Sequence, residues 1–401
     1  MLEGIRVIEM ATYIAAPSAG GMLADWGADV IKIEAREGDP IRHFFKTIGT
    51  DLEGNPVFDL DNRGKRSVAL DFSIPEGAKA VLKFLEKADV FLTNLRPGSL
   101  KRAGLDWDTV HKMNEKLIYA SVTGYGMEGP EADRPGFDMA AFWSRAGVGR
   151  LFAPKGEDPV PLRTAFGDHV TGQATAAGIC AALVERARTG KGRLVETSLL
   201  RTGIYTLGSD MAIQLKFGRV ASTRRREEAV NPVNNYFKTR DDFWLCLMPR
   251  QGSKDWMDIL RAIDRKDLAT DPKFDSSKNR RKNGPELVGI IDEAFATRDL
   301  AEWHDRLDAE HLIWAPVQTP AQVADDAQAE AAGAFVQTPD HSGGSFRAPA
   351  TPVRFHGADD GPRGPSPHIG EHTDEMLEDA GYTADEIAVL RSNSIVGAQE
   401  D

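Results

Sequence analysis

The sequence predicts an α/β protein: a parallel sheet of repeated β-α-β units, followed by a smaller α+β domain. Three observations predict it. Short β-branched and apolar runs alternate with helix-patterned stretches from Ile5 to Leu199. Around residue 240, two β-type runs flank the polar turn Arg240-Asp241-Asp242, and amphipathic helical patterns follow. The chain has 401 residues, 41% hydrophobic and 27% charged, an ordinary globular make-up long enough for two domains. The expected division is a large α/β domain over 1–205, a linker over 206–230, a small α+β domain over 231–332, and a return segment over 333–401 whose helices dock on the large domain.

The elements follow in order. Ile5 to Met10 reads as a strand, then a loop to Pro17 and a small-residue helix from Ser18 to Trp26. Gly27 turns the chain into a second strand ending at Glu34. Ser67 to Asp71 is a third strand, and Pro75 sits where proline opens a helix, Glu76 to Lys87. Ala88 to Thr93, Leu117 to Val122 and Leu194 to Leu199 complete six strands. No GxGxxG follows the first strand, which argues against a nicotinamide cofactor. Arg36, Asp39 and Arg42, and the cluster Arg63-Gly64-Lys65-Arg66, lie beside strand ends, where open sheets bind ligands. The basic cluster Arg63-Gly64-Lys65-Arg66 reads either as phosphate ligands or as solvated charge.

Met139 to Trp143 and Ile204 to Arg219 are expected helices, and Ala221 to Glu228, with Arg224-Arg225-Arg226, is expected linker. In the small domain Asn234–Thr239 and Phe243–Met248 form the hairpin. Trp256–Ile263, Gly284–Ala296 and Leu300–Glu310 are helices, Ile313–Val317 is a strand, and Pro320 opens a helix to Ala332. The tail has a short extended piece from Ala348 to Phe355, then helices at Asp374–Ala380 and Ala384–Ser392.

Composition excludes several classes. The net charge of −12 argues against a dedicated nucleic-acid binder, while leaving room for a local basic site. Two cysteines make no disulfide framework and suit a reducing cytoplasm. The nine histidines show no metal-ligand spacing, so no metal is expected. The N-terminal run is broken by Glu3, Arg6 and Glu9, unlike a signal peptide, and no apolar run spans a membrane.

The chemistry-bearing stretch is Leu162 to Leu200. Gly167 precedes Asp168, which stands at or just before the start of a helix rich in glycine and alanine. Small residues there let another backbone pack closely. Arg186 and Arg188 suit its negative end, and Thr189-Gly190-Lys191-Gly192 stops it. Asp168 reads either as a helix N-cap or as a nucleophilic carboxylate, already ionised at an ordinary pKa and needing no partner base. His169 reads as a first-turn surface histidine or as a base.

Taken together, the segments resemble family III CoA-transferases of the CaiB/BaiF type over nearly the whole chain. The resemblance rests on Leu2 to Ile8, Leu23 to Glu34 with Gly38-Asp39 and Arg42, Asn62, Lys65-Arg66-Ser67, Leu70-Asp71, Glu76-Gly77 and Asn94 to Gly98. Gly167-Asp168, Thr189 to Arg193 and Gly370 to Thr373 complete it. Any one piece is weak; the ordered set is specific.

The resemblance implies a Rossmann-like CoA-binding domain, a cytoplasmic enzyme and an interlocked homodimer. The substrates it implies are an acyl-CoA and a carboxylic acid acceptor, with coenzyme A carried as substrate and no permanently bound cofactor. Asp168 matches the catalytic aspartate. Ile14, Ala15, Arg36, Leu70, Asp71, Phe72, Ser73, Asn94, Leu95, Arg96 and Arg102 match stretches lining the CoA site, and Phe137 falls near the acyl thioester. The implied mechanism passes through an acyl-aspartyl anhydride and an aspartyl-CoA thioester, with oxyanion donors sought at Gly136-Phe137 and around Gly167. Racemases of the same fold carry a histidine where this chain has Phe137, which sets them second. Phe137 to Gly147 looks like relatives that handle larger or aromatic acids. The family's glycine-rich loop corresponds here to Pro249-Arg250-Gln251-Gly252-Ser253. Trp244 and Met248 are offered as acyl-pocket or core residues, and Arg250 as a partner for a diacid.

Overall fold

A computed structural model describes residues 1–49, 54–250 and 254–397. The chain divides into two compact units, one of residues 1–150, 160–220 and 331–401, the other of 151–159 and 221–330. The first holds a six-stranded sheet: β1 (Arg6–Met10), β2 (Asp29–Glu34), β3 (Arg66–Ala69), β4 (Val90–Thr93), β5 (Ile118–Thr123) and β6 (Leu194–Ser198). Their order is β3-β2-β1-β4-β5-β6, every pair parallel. The central strands β4 and β5 are nearly continuous apolar runs, as in a sheet covered on both faces; all of Val90–Thr93 and Ile118–Thr123 is buried.

The Ala15–Asp25 helix is buried along its whole length. It can be so because its partner, the long Phe166–Thr189 helix, carries small residues: a Cβ at Gly172 would lie 2.0 Å from Ser18 Oγ. The long helix ends at Gly190, whose φ of 71° is the left-handed conformation glycine adopts without steric cost.

Beneath β1, β2 and β3 lies a buried charge network. Glu9 bridges Lys32 at 3.2 Å and Lys65 at 2.7 Å, and Lys32 also reaches Asp39 at 2.8 Å, all fully buried. Burial holds the Lys65 ammonium down to about 8 against the pull of Glu9. Arg42 forks onto Glu34, Arg63 onto buried Asp25, and Arg66 pairs with Asp29 and Glu375. This overturns the phosphate reading of Arg63-Gly64-Lys65-Arg66: all three cations are spent on carboxylates within the unit.

The C-terminal segment returns to edge strand β3. The His372 amide donates to Ser67 O, the Gly397 amide to Ala69 O and the Asp71 amide to Ile395 O. Met376, Leu377, Ile387 and Leu390 join the core beside Val68 and Leu70.

Several elements differ from expectation. The Pro56–Asn62 and Trp107–Met113 helices were not predicted; seven residues are too few to display a helical period, although Asn55 and Asp106 cap them. Met139–Arg145 is a π-helix. The expected Ile204–Arg219 helix breaks at Leu207 into Leu199–Thr206 and Gly208–Phe217, and the expected Pro320–Ala332 helix breaks into Pro320–Ala324 and Ala327–Ala331.

The second unit holds an antiparallel sheet of β7 (Asn235–Lys238), β8 (Trp244–Leu247) and β9 (Trp314–Pro316). Its core gathers Phe237, Leu245, Leu247, Ile291, Phe295 and Trp303. Trp244 and Met248 point outward, 39% and 47% exposed, so neither is a core residue. Arg250 is taken by Asp255, Nε to Oδ1 at 2.7 Å, rather than left for a diacid. Gln251 to Ser253 lie outside the described residues. The tail's strand lies earlier than the expected Ala348–Phe355: β11 (Ser345–Pro349) pairs as a hairpin with β10 (Phe335–Pro339) in the first unit, and residues 350–355 are in no strand.

Candidate active site

Asp168 occupies the third position of the Phe166–Thr189 helix, inside its first turn and not at the N-cap. The cap position is Ala165, with φ of 66°, a conformation that costs a non-glycine residue on the order of 1–3 kcal/mol. Packing of Ala165 with Ile14, Ile41 and Phe58 holds it there. Ala165 has no side chain to cap the helix, and Asp138 does that work: its Oδ2 accepts from the Gly167 amide at 2.9 Å. Gly167 is present for space rather than for backbone freedom. It is helical, and a Cβ there would lie 2.3 Å from Asp138 Oδ1 and from Phe142 Cγ. With its amide committed to Asp138, Gly167 is also removed as an oxyanion donor.

The Asp168 carboxylate makes no ion pair or hydrogen bond with the described residues. Burial pushes it up to about 7, the charges of Asp138 and Asp61 add to the rise, and His169 opposes them. The expectation of an ordinary, fully ionised aspartate is therefore corrected.

His169 is not a plain surface residue. Its Nε2 lies 3.3 Å from Oδ1 of buried Asp61, and its Nδ1 lies 3.0 Å from the Ala165 carbonyl oxygen.

Two cavities meet at Asp168. The first, about 370 Å³, opens at the carboxyl ends of β1, β4 and β5. This is the place where the sheet order reverses direction, the usual crevice for ligands in open α/β sheets. Thr12, Tyr13 and Ala15 line it from β1, and Asn94, Leu95, Arg96 and Ser99 from β4; Phe72, Phe137 and Asp168 complete its wall. Asn94 pins the crevice, its Nδ2 donating to Thr12 O at 2.6 Å and its Oδ1 accepting from the Thr12 amide at 3.0 Å. The second cavity, about 320 Å³, is lined by Ile14, Pro40, Ile41, Phe44, Met139 and Leu162, with Asp138, Thr164 and, as its single cation among the described residues, Arg163. Tyr13, Phe137 and Asp168 belong to both. The Tyr13 and Phe137 rings meet edge to face at 5.4 Å.

The structure brings together Asp168, Ala15, Phe72, Asn94, Leu95, Arg96 and Phe137 in one cavity, and places Ile14 in the other. The remaining expected residues stand elsewhere. Leu70 is fully buried in the core. Asp71 accepts from the amide and hydroxyl of Ser73 in a local turn. Arg36 donates to Ser394 O, and Arg102 to Ser99 Oγ. Sequence reading missed Tyr13, Asp61 and Arg163. Tyr13 carries one detectable mark, a φ of 61° that only coordinates reveal.

Among the described residues no cluster of three or more histidine, cysteine or acidic side chains could hold a metal. No helix of the described residues is long and apolar enough to cross a membrane.

The comparisons with known proteins agree with this geometry. Residues 2–373 match the family described as CoA-transferase family III. The chain is 35% identical over 399 residues to (R)-2-hydroxy-4-methylpentanoate CoA-transferase of Clostridioides difficile, covering 99% of each chain. It is 34% identical over 407 residues to cinnamoyl-CoA:phenyllactate CoA-transferase of Clostridium sporogenes, covering 100% of this chain and 98% of the relative. The crystal structure of a CAIB/BAIF family protein from Brucella suis superposes with a TM-score of 0.83 at 29% identity, over 94% of this chain and 98% of that one. With a switch-point crevice ending on an unpaired carboxylate and full-length similarity to these transferases, the chain belongs to CoA-transferase family III and is a CoA-transferase.

Proposed function

We propose that the protein moves CoA from an acyl-CoA to a small, apolar free carboxylic acid, with Asp168 as covalent carrier. The observation that carries this reading is the unpaired Asp168 carboxylate standing in both cavities. The crevice at the strand ends takes the CoA arm, with Asn94, Leu95 and Arg96 along it, and the apolar cavity takes the acyl group.

In the first step Asp168 attacks the thioester carbonyl and CoA thiolate leaves, giving a mixed anhydride. The thiolate then attacks the aspartyl carbonyl of that anhydride, releasing the donor acid and leaving an aspartyl-CoA thioester. The acceptor carboxylate attacks this thioester and expels the thiolate. The thiolate finally takes the acceptor acyl group, which regenerates Asp168. The Gly136-Phe137 amides are the donors proposed for the oxyanions.

The acid class follows from the second cavity. Its volume is at the small end of ligand pockets, which excludes long acyl chains. Its walls are mostly aliphatic and aromatic, with Asp138, Thr164 and Asp168 as polar exceptions, and Arg163, its one cation among the described residues, suits the one carboxylate of an incoming monoacid. Branched and aryl acids fit this description, and the names of the two relatives are of that kind. A proton-shuttling reading lacks a base, because both ring nitrogens of His169 face acceptors.

We also read the protein as a cytoplasmic homodimer. The Gly208–Phe217 helix has no buried residue although Leu215 and Phe217 are 78% and 65% exposed, and nearby Tyr205 is 85% exposed. An apolar face of that extent needs cover, and a second copy supplies it; a monomeric mass in solution would refute this.

The test of the activity is CoA exchange between a branched or aryl acyl-CoA and a free acid. Exchange, lost in Asp168→Ala, is expected, with a CoA mass adduct on Asp168 trapped in the intact enzyme. Exchange that survives in Asp168→Ala, or α-deuterium incorporation from heavy water without exchange, overturns the reading.

A further inference from the structure

His169 faces hydrogen-bond acceptors on both sides. A carbonyl oxygen only accepts, so Nδ1, 3.0 Å from Ala165 O, carries a proton. A carboxylate also only accepts, so Nε2, 3.3 Å from Asp61 Oδ1, carries one too. A neutral imidazole would aim a lone pair at one of these oxygens. Asp61 is itself 4% exposed, and its other oxygen, Oδ2, is buried without a partner, so its charge is answered by His169.

We propose that His169 is a standing imidazolium, fixed by Asp61 and the Ala165 carbonyl, and that this cation favours the ionised, attacking form of the adjacent Asp168 carboxylate. The proposal rests on the reading of Asp168 as the nucleophile. His169 and Asp61 are positioning residues: neither lines the crevice or the apolar cavity.

The surrounding charges explain why such a cation is needed. Asp168 feels the charges of Asp138, just before the π-helix, and of Asp61 from the Pro56–Asn62 helix, both of which disfavour its ionisation. His169 is the one titratable group acting the other way. On its own side, His169 loses by burial and gains more from the Asp61 bond and charge, the Ala165 carbonyl and Asp168, so it is raised above its ordinary value. Lys65 also feels Asp61, but it is bound to Glu9, Pro17 O and Asn62.

Two measurements on the full-length protein test this. Nitrogen NMR of the His169 ring should show both nitrogens protonated at pH 7.5 in the wild type, and Asp61→Asn should move the titration down toward the ordinary histidine range. A neutral ring at pH 7 in the wild type overturns the proposal, whatever the activity. The pH profile of CoA exchange is the second measurement. In His169→Gln and Asp61→Asn the acid limb should move up by about one pH unit, which lowers exchange at pH 6 about tenfold while sparing it at high pH. His169→Lys, which retains a cation, should restore part of the low-pH activity. A limb that stays in place, or a loss equal at every pH, assigns His169 a packing role only. Failure of the nucleophile reading shows separately, as exchange surviving in Asp168→Ala.

Discussion

Replacing Asp168 by asparagine should stabilise the protein while abolishing CoA transfer, and the gain should grow with pH. The carboxyl titrates at about 7 in the folded chain against an ordinary 3.8, because burial and two neighbouring carboxylates disfavour its charge. An acid whose pKa is raised by folding holds extra protons in the native state between those two values. Stability therefore falls as pH rises from about 4 to 7 and stays low above that. The gap is worth about 4 kcal/mol at most, at 1.36 kcal/mol per pH unit. Asparagine keeps the shape and carries no charge, so it recovers that sum above pH 7 and nothing near pH 4. The assay is urea unfolding of both proteins at pH 5, 7 and 8.5. The reasoning predicts a difference of about 2 kcal/mol or more at pH 8.5, shrinking steadily toward pH 5. A difference that is absent, or equal at all three values, refutes it.

Other consequences are as direct. Gly167→Ala forces a methyl against Asp138 Oδ1 and the buried Phe142 ring; we expect a loss of about 1–3 kcal/mol in unfolding free energy and most of the exchange activity. Arg63→Met strands the buried Asp25 carboxylate, whose pKa burial already raises, and should cost about 3–5 kcal/mol by urea unfolding. Adding Asp25→Leu to Arg63→Met should recover most of that loss in the same measurement, since no unpaired charge remains.

The central strands β4 and β5 are legible in the sequence because they are buried on both faces and read as compact apolar runs, whereas edge strand β6, LVETS, is legible only by its alternation. The carrier helix is legible at its end, where Gly190 stops it, but not at its start. Its N-terminal cap comes from Asp138, 29 positions upstream of the amide it serves, and no local pattern announces such a contact. Distance in sequence hides other features too. Asp61 meets His169 across 108 positions. The basic run at Arg63 looks like an anion site until Asp25, Glu9 and Asp29 are folded onto it. Asp168 is visible as a residue, yet its altered acidity is not, since that depends on burial and on two carboxylates brought in from elsewhere.

The docking of the last residues on β3 bears on how the protein is made. A ribosome delivers β1 to β6 by residue 198, but the strip that closes the exposed side of β3 arrives only with residues 367 to 397. Throughout the synthesis of the intervening residues, which include 221–330 of the second unit, a nearly finished sheet presents bare amides and carbonyls to its surroundings. The sheet of the first unit is thus completed only after residues 367 to 397 have been made. Messages or proteases that shorten the chain from its far end should yield material prone to sticking edge to edge, even though every residue proposed for chemistry is already present.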